Sequence, residues 1–233
     1  MEEFYSGRIL VVTGHYGSGK TEFSVSLSMQ LAAQREKRAY QKLALVDLDI
    51  VNPYFRSREQ EEMLGQVGIN VYGGAYGGQI TAEIPELSAR IRTPLQDAAC
   101  QTILDVGGNS AGALVISQFR KYLDGAEHYL VVNANRPETA EAEGAIAHLR
   151  EIEAVTKLPV TGLVNNTHML RETTGEDIQK GRRLCLEISQ KTGIPLKVST
   201  YPEDLVDPQT IQGEEALLPL GMYMRQSWLD HPI

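Results

Sequence analysis

One short motif near the start of the chain restricts the possible folds more than any other feature. The apolar stretch Arg8–Thr13 runs directly into Gly14-His15-Tyr16-Gly17-Ser18-Gly19-Lys20-Thr21, which matches the pattern G-x-x-x-x-G-K-[ST]. Glycines let the backbone turn tightly and approach an anion without Cβ clashes, and successive N–H groups in such a turn form a nest for phosphate. The positive end of the helix predicted to follow would add to this attraction. The motif therefore predicts a phosphate-binding loop between a strand and a helix.

The residue types within this loop indicate separate tasks. The backbone of Gly14, Gly17, Ser18 and Gly19 would supply the N–H cradle, Lys20 would hold the β- and γ-phosphates, and the Thr21 hydroxyl would ligate Mg²⁺. These six residues are the predicted phosphate and metal contacts of the loop.

Short apolar runs alternate with amphipathic stretches along the rest of the chain. This alternation predicts an α/β fold: a mostly parallel β-sheet flanked by helices on both faces. With the phosphate loop placed after the first strand, the pattern resembles the P-loop NTPase fold. We expect one nucleotide-binding domain over residues 1–233. The predicted strands are Arg8–Thr13, Lys42–Asp47, Ile69–Tyr72, Thr102–Val106, His128–Asn133, Val160–Asn165 and Leu196–Ser199. The predicted helices are Lys20–Gln34, Ala111–Tyr122, Pro137–Thr156 and Glu176–Thr192.

Composition narrows the classes of partner. A net charge of -8 disfavours nucleic acid, because such a surface repels phosphate backbones on average. A membrane-spanning helix needs a run of about 18 apolar residues, and the sequence contains no such run. The two cysteines, Cys100 and Cys185, are far apart and do not suggest a disulfide framework, and the first residues do not resemble a signal peptide. We therefore expect a cytoplasmic protein.

Acidic residues follow two predicted strands, where a nucleotide site needs them to hold a metal and orient water. Asp105 ends one strand and precedes Gly107-Gly108, so we assign it to Mg²⁺. Asp47 and Asp49 end another strand; we assign Asp47 to support of the metal and Asp49 to orienting the attacking nucleophile. The alternative is that these aspartates only cap a strand or form the turn before Asn52-Pro53.

The three motifs together resemble the CobQ/CobB/MinD/ParA class of P-loop nucleotide-binding proteins. This resemblance implies ATP and Mg²⁺ as ligands, and activity either as an ATPase switch, often a nucleotide-sandwiched dimer, or as an ATP-dependent ligase. Many dimerising members carry a second lysine early in the loop, where this sequence has His15. A homodimer of that kind is therefore left open, and we expect His15 to pack or hydrogen-bond locally.

Amide side chains at later strand ends favour adenine as the base. Asparagine can pair with the N6/N7 edge of adenine, and Asn165-Asn166-Thr167-His168 lacks the aspartate of the N-K-x-D motif that selects guanine. The resemblance adds the turn that contains Tyr201 and Pro202 as a second base contact. A turn or a helix cap is the alternative role for each asparagine.

Three further segments and one arginine are candidate regulatory or partner contacts. The glycine-rich loop Gly73–Gly78 and the segment Phe55–Arg58 lie near the predicted site, and Arg136 could contact phosphate, an acidic substrate or only solvent. The apolar tail from Leu217 to Leu229 is predicted to form a helix packed on the core, or a dimer contact.

These features lead to a Mg-ATP-binding P-loop protein, an ATPase that acts as a switch for a partner protein. Two alternatives stay open. One is an ATP-dependent ligase or kinase acting on a small carboxylate-type metabolite, with the glycine-rich loop and Arg90-Ile91-Arg92 forming an acceptor pocket. The other is a nucleotide-binding module without significant turnover.

Overall fold

The computed structural model describes residues 5–37, 39–48, 58–73 and 84–224. Eight strands among them form one sheet in the order β3-β2-β4-β1-β5-β6-β7-β8, and every neighbouring pair is parallel. The strands are β1 (Ile9–Gly14), β2 (Lys42–Leu48), β3 (Ile69–Gly73), β4 (Cys100–Val106), β5 (Glu127–Val132), β6 (Gly162–Asn165), β7 (Leu196–Pro202) and β8 (Ala216–Leu220). The predicted parallel α/β architecture is confirmed.

Helices cover both faces of this sheet. They are α1 (Lys20–Ala33), α2 (Arg58–Gln66), α3 (Ile84–Gln96), α4 (Ser110–Ser117), α5 (Ala142–Thr156) and α6 (Gly175–Thr192). Phe23 of α1 and Leu64 of α2 belong to the apolar cluster on one face, whereas α3 to α6 pack on the other through side chains such as Ile116 and Ile188. Because both faces are covered, β1 and β4 are buried along their whole length. Within the described ranges, no helix is both long and apolar enough to cross a membrane.

The seven predicted strands are all present, and the helix boundaries are partly as predicted. Gly193 ends α6 in the left-handed conformation at φ 77°, as the glycine before Ile194-Pro195 indicated. The predicted helix Ala111–Tyr122 is shorter, because α4 stops at Ser117 and a separate 3₁₀ turn follows. The predicted helix Pro137–Thr156 also divides into a 3₁₀ turn and α5.

Two helices were not predicted. The segment that forms α2, Arg-Glu-Gln-Glu-Glu-Met-Leu-Gly-Gln, is mostly polar and has only two large apolar side chains, Met63 and Leu64. In α3, Pro94 lies inside the helix, and proline normally marks a helix end. Both segments are nevertheless amphipathic at helical spacing, so the sequence contained a signal for each helix that the prediction did not use.

The prediction of a helix from Leu217 was wrong for the residues that the structure describes. Ala216–Leu220 is the strand β8, which pairs with β7 at one edge of the sheet. Pro219 is compatible with this position because an edge strand has one side without ladder partners. The part of the predicted helix beyond residue 224 lies outside the described residues.

The chain after β8 is attached to α1. The Glu22 carboxylate accepts the backbone N–H groups of Tyr223 at 3.0 Å and Met224 at 2.8 Å, and Ser26 donates to it at 3.1 Å. Burial raises the pKa of Glu22, and these hydrogen bonds partly oppose that shift. The first turn of α1, which directly follows the phosphate loop, therefore also holds the segment after β8.

Candidate nucleotide site

The phosphate loop lies at the carboxyl end of β1, near the middle of the sheet, where ligands of such sheets bind. A hydrogen bond of 3.0 Å from the Ser18 N–H to the His15 carbonyl closes the turn, and α1 begins directly after Gly19. Gly19 has φ 82°, and a Cβ at this position would collide with the Asn166 side chain. Glycine is thus required here both by backbone conformation and by space.

Lys20 and the loop after β4 meet at this turn. Lys20 is only 6% exposed. A Cβ on Gly108 would lie 2.9 Å from both the Lys20 Nζ and the Tyr16 backbone nitrogen. The Asp-Val-Gly-Gly segment therefore packs against the phosphate loop, as expected if both contact the same ligand.

The Thr21 hydroxyl donates a hydrogen bond of 2.6 Å to the Asp105 carboxylate. Asp47 is the register partner of Asp105 on the neighbouring strand, so both carboxylates lie at the same edge and on the same face of the sheet. Both are buried. Like charges this close are unfavourable without a cation or donors nearby. A hydroxyl and two carboxylates are the oxygen donors that Mg²⁺ prefers, so these residues fit the metal.

A resident metal site made of protein alone is not found in the described ranges, where no three His, Cys, Asp or Glu side chains are placed to hold an ion. Mg²⁺ in nucleotide sites usually binds one or two carboxylates together with phosphate oxygens and water. The Thr21, Asp47 and Asp105 set is of this second kind.

Asn165 and Asn166, the predicted base contacts, are both fully buried. The Asn165 amide donates to the carbonyl of Ile178 and to the Ser199 hydroxyl. Asn166 donates to the Ser18 carbonyl at 2.7 Å and accepts a hydrogen bond from Thr200 at 2.5 Å. Asn166 thus connects the end of β6 to the phosphate loop, a contact that the sequence did not predict.

Tyr201 and Pro202 end β7, one strand further from the loop. Tyr201 is partly exposed, and burial, followed by Glu203 and Asp207, raises the pKa of its hydroxyl. The hydroxyl is therefore neutral at pH 7 and can donate a hydrogen bond. Their contact with a base stays a prediction.

Three residues around the loop are histidines. The His15 ring lies 5.2 Å from the His148 ring, edge to face, and its Nδ1 is 3.2 Å from the Tyr16 carbonyl, so it packs locally as expected. Burial, followed by His15, lowers the pKa of His148 to about 4. Burial and the charge of Arg136 lower the pKa of His168 to about 4. His148 and His168 are therefore neutral at pH 7, and the sequence pattern indicated neither of them.

Several predicted features lie outside the described residues. These are Asp49, the turn at Asn52-Pro53, most of the segment Phe55–Arg58, the loop residues 74–78 and the tail beyond residue 224. Arg90 and Arg92 lie on α3 and are exposed. The predicted roles of all these residues stay predictions.

Neither a family model nor a curated protein matches the sequence. Solved structures match by fold. The signal recognition particle receptor FtsY from Elizabethkingia anophelis in complex with GDP has a TM-score of 0.52 and 18% identity, covering 84% of this chain and 58% of that chain. A second structure of that receptor has a TM-score of 0.51 and 20% identity, and the match covers 96% of this chain and 65% of that chain. FtsY from Mycoplasma mycoides has a TM-score of 0.51 and 16% identity, and the match covers 84% of this chain and 62% of that chain.

Identities this low establish the fold alone. Together with the phosphate loop and its position in the sheet, they show a P-loop NTPase fold, as the sequence predicted. This chain spans less than two thirds of the chain in each of these three structures: 58%, 65% and 62%.

Proposed function

We propose that this protein binds and hydrolyses a nucleoside triphosphate with Mg²⁺ and works as a nucleotide-dependent switch for a partner protein. The observation that carries the proposal is the 2.6 Å contact between Thr21 of the phosphate loop and Asp105 of β4. It brings a predicted metal ligand from each of two distant motifs to one point, beside the buried Lys20.

In this proposal Lys20 holds the β- and γ-phosphates, and its charge offsets the charge that develops during phosphoryl transfer. Gly14, Gly17 and Gly19 are the proposed N–H donors of the backbone cradle. The Ser18 N–H, predicted as a further donor, donates to the His15 carbonyl, so Ser18 would support the cradle by closing the turn. Thr21 and Asp105 hold Mg²⁺, Asp47 supports it from the neighbouring strand, and Asp49 orients the attacking water. Bound Mg²⁺ would neutralise charge on the phosphates.

We propose ATP as the nucleotide, because the chain lacks the aspartate of the guanine-selecting motif after β6. Tyr201 and Pro202 are the proposed base neighbours. Asn165 and Asn166 are fully buried and their amides already donate to protein oxygens, so a base contact through them requires these hydrogen bonds to be exchanged. GTP is the competing nucleotide, favoured by the GDP-bound FtsY among the similar folds.

We also propose that residues 1–233 form one nucleotide-binding domain that works in the cytoplasm. One sheet contains all the described strands, and both cysteines are buried and not paired in a disulfide. These features suit a reducing compartment. The narrower assignment to the CobQ/CobB/MinD/ParA class rests on the sequence motifs.

The test is titration of the purified chain with Mg²⁺ and either ATP or GTP, followed by phosphate release. We expect saturable ATP binding that Lys20→Ala weakens at least tenfold. Lys42→Ala is the matched control, because Lys42 is an exposed cation paired with Asp97 at the start of β2, away from the carboxyl ends of the strands. An unchanged isotherm for Lys20→Ala contradicts the proposed site.

Phosphate release without an added acceptor supports the switch. Release only with a metabolite extract favours the kinase or ligase, and tight binding with no release favours a binding module. Light scattering with and without ATP tests whether a homodimer forms.

A further inference from the structure

Arg136 lies in the turn that follows β5, next to the strand that carries the phosphate loop. Its backbone is held on both sides: its N–H donates to the Asn133 carbonyl at 3.1 Å, and its carbonyl accepts the Thr139 N–H at 3.0 Å. The side chain therefore starts from a fixed position at the carboxyl edge of the sheet.

The neighbouring residue ties this turn to α6. The Asn135 amide donates to Asp177 at 3.1 Å, and its oxygen accepts a hydrogen bond from Lys180 at 2.8 Å. Asp177 in turn belongs to the capping box of α6. Because the turn is hydrogen-bonded to a capped helix of 18 residues, its backbone is held in position and the Arg136 side chain extends from a fixed point.

From this base the guanidinium reaches the phosphate loop. Its Nε donates to the Gly17 carbonyl at 2.8 Å. A Cβ on Gly17 would lie 3.0 Å from both Nε and Cζ of Arg136, and Gly17 has φ 73°. The absence of a side chain at Gly17 therefore lets the planar guanidinium lie against the loop backbone.

Two consecutive carbonyls of the loop are thus held from outside, Gly17 by Arg136 and Ser18 by Asn166. Because a trans peptide is planar, fixing a carbonyl also fixes the following N–H on the opposite side. The Gly17–Ser18 peptide directs its N–H to His15 and closes the turn. In the Ser18–Gly19 peptide, the Gly19 N–H therefore points away from Asn166.

We propose that Arg136 is a positioning residue for the nucleotide: it keeps the phosphate loop in its anion-binding shape through Gly17 and adds a fixed positive charge beside the polyphosphate. This inference rests on the proposed function, because it concerns the same site. Without this contact the loop is less ordered before the ligand binds, and the entropy lost in ordering it on binding lowers the affinity.

The test compares ADP, ATP and AMP binding by the full chain carrying Arg136→Ala, Arg136→Gln or Arg136→Lys. We expect Arg136→Ala to weaken ADP and ATP binding by roughly tenfold and to change AMP binding much less, because AMP lacks the β- and γ-phosphates. Arg136→Gln and Arg136→Lys should each restore part of the affinity, the first by donating to Gly17 and the second by charge. Arg150→Ala, at an exposed position on α5, is the control.

Salt dependence and melting separate positioning from a general loss of structure. Raising KCl should weaken ADP binding by the wild type more than by Arg136→Gln, since only the first has the guanidinium charge. Wild-type ADP affinity in Arg136→Ala, or an equal loss of AMP and ADP binding with a lowered melting temperature, would overturn the inference. A wild type that binds no nucleotide would overturn the proposed function, and this inference with it.

Discussion

Lowering the pH should destabilise this protein through His128, which lies near the start of β5, opposite Val11 of β1. The side chain is 1% exposed; its Nε2 is 2.8 Å from the Thr13 hydroxyl and its Nδ1 is 3.3 Å from the Leu158 carbonyl. Burial is the main cause that lowers its pKa from 6.5 to about 4. The folded protein therefore keeps His128 neutral at pH values where the unfolded chain is protonated.

The sign and the size follow from linkage between protonation and folding. Between about pH 6.5 and 4 the unfolded state binds more protons at this residue, so the free energy of unfolding decreases as the pH falls. With pKa values of 6.5 and about 4, His128 alone accounts for a loss of about 2 kcal/mol between pH 7 and pH 5. The loss approaches 3 kcal/mol at about pH 4.

The assay is urea unfolding of the wild type and of His128→Gln at pH 7, 6 and 5. Glutamine retains a donor and an acceptor but does not titrate, so the carboxylate contributions common to both proteins cancel in the difference. We expect the stability advantage of the wild type to decrease by about 2 kcal/mol from pH 7 to pH 5. NMR titration of the 5 histidines gives the folded pKa directly.

A difference between the two proteins that stays constant from pH 7 to pH 5 would refute this reasoning. So would a His128 resonance that titrates near pH 6.5 in the folded protein. Either result would mean that the burial of this ring does not control its protonation.

Substitutions at three other positions, Gly19, Glu22 and Asp49, test the site and its supports. Gly19→Ala should lower ADP affinity at least tenfold, since it combines a strained φ with the collision described above, whereas Gly125→Ala, also at positive φ but with no atom within 4 Å, should leave affinity intact; equal losses would contradict this. Glu22→Ala should cost roughly 2–3 kcal/mol in urea unfolding. Burial raises the pKa of Glu22 in the folded protein, so the folded state binds a proton at this residue before the unfolded chain does as the pH falls. The free energy of unfolding of the wild type should therefore rise relative to that of Glu22→Gln as the pH falls, and a pH-independent difference counts against the assignment. Asp49→Asn should keep ADP binding and slow phosphate release; lost binding would make Asp49 a structural or metal residue.

Most of the sheet was predictable because a parallel strand that is buried on both faces consists of consecutive apolar residues, a pattern visible in the local sequence. The runs at Ile9–Val12 and Tyr129–Val132 give this signal clearly, and both became central strands. The strand β8 was missed because Leu-Leu-Pro-Leu is equally compatible with a buried helix start, and only pairing with β7 decides between them. Edge pairing is a long-range contact that a local pattern does not contain.

The sequence alone predicted the phosphate loop and the positions of Asp47 and Asp105 at strand ends, because backbone anion binding depends on glycine spacing and on the residues that end a strand. The role of Asp49 stays a prediction. Only the tertiary structure decided which distant groups support that loop. The strand order puts the end of β5 beside the end of β1 and the end of β6 one strand further, and this brings Arg136 and Asn166 to consecutive carbonyls of the loop. Their contacts join residues more than a hundred positions apart, and so depend on how the sheet is assembled rather than on any local preference of the chain.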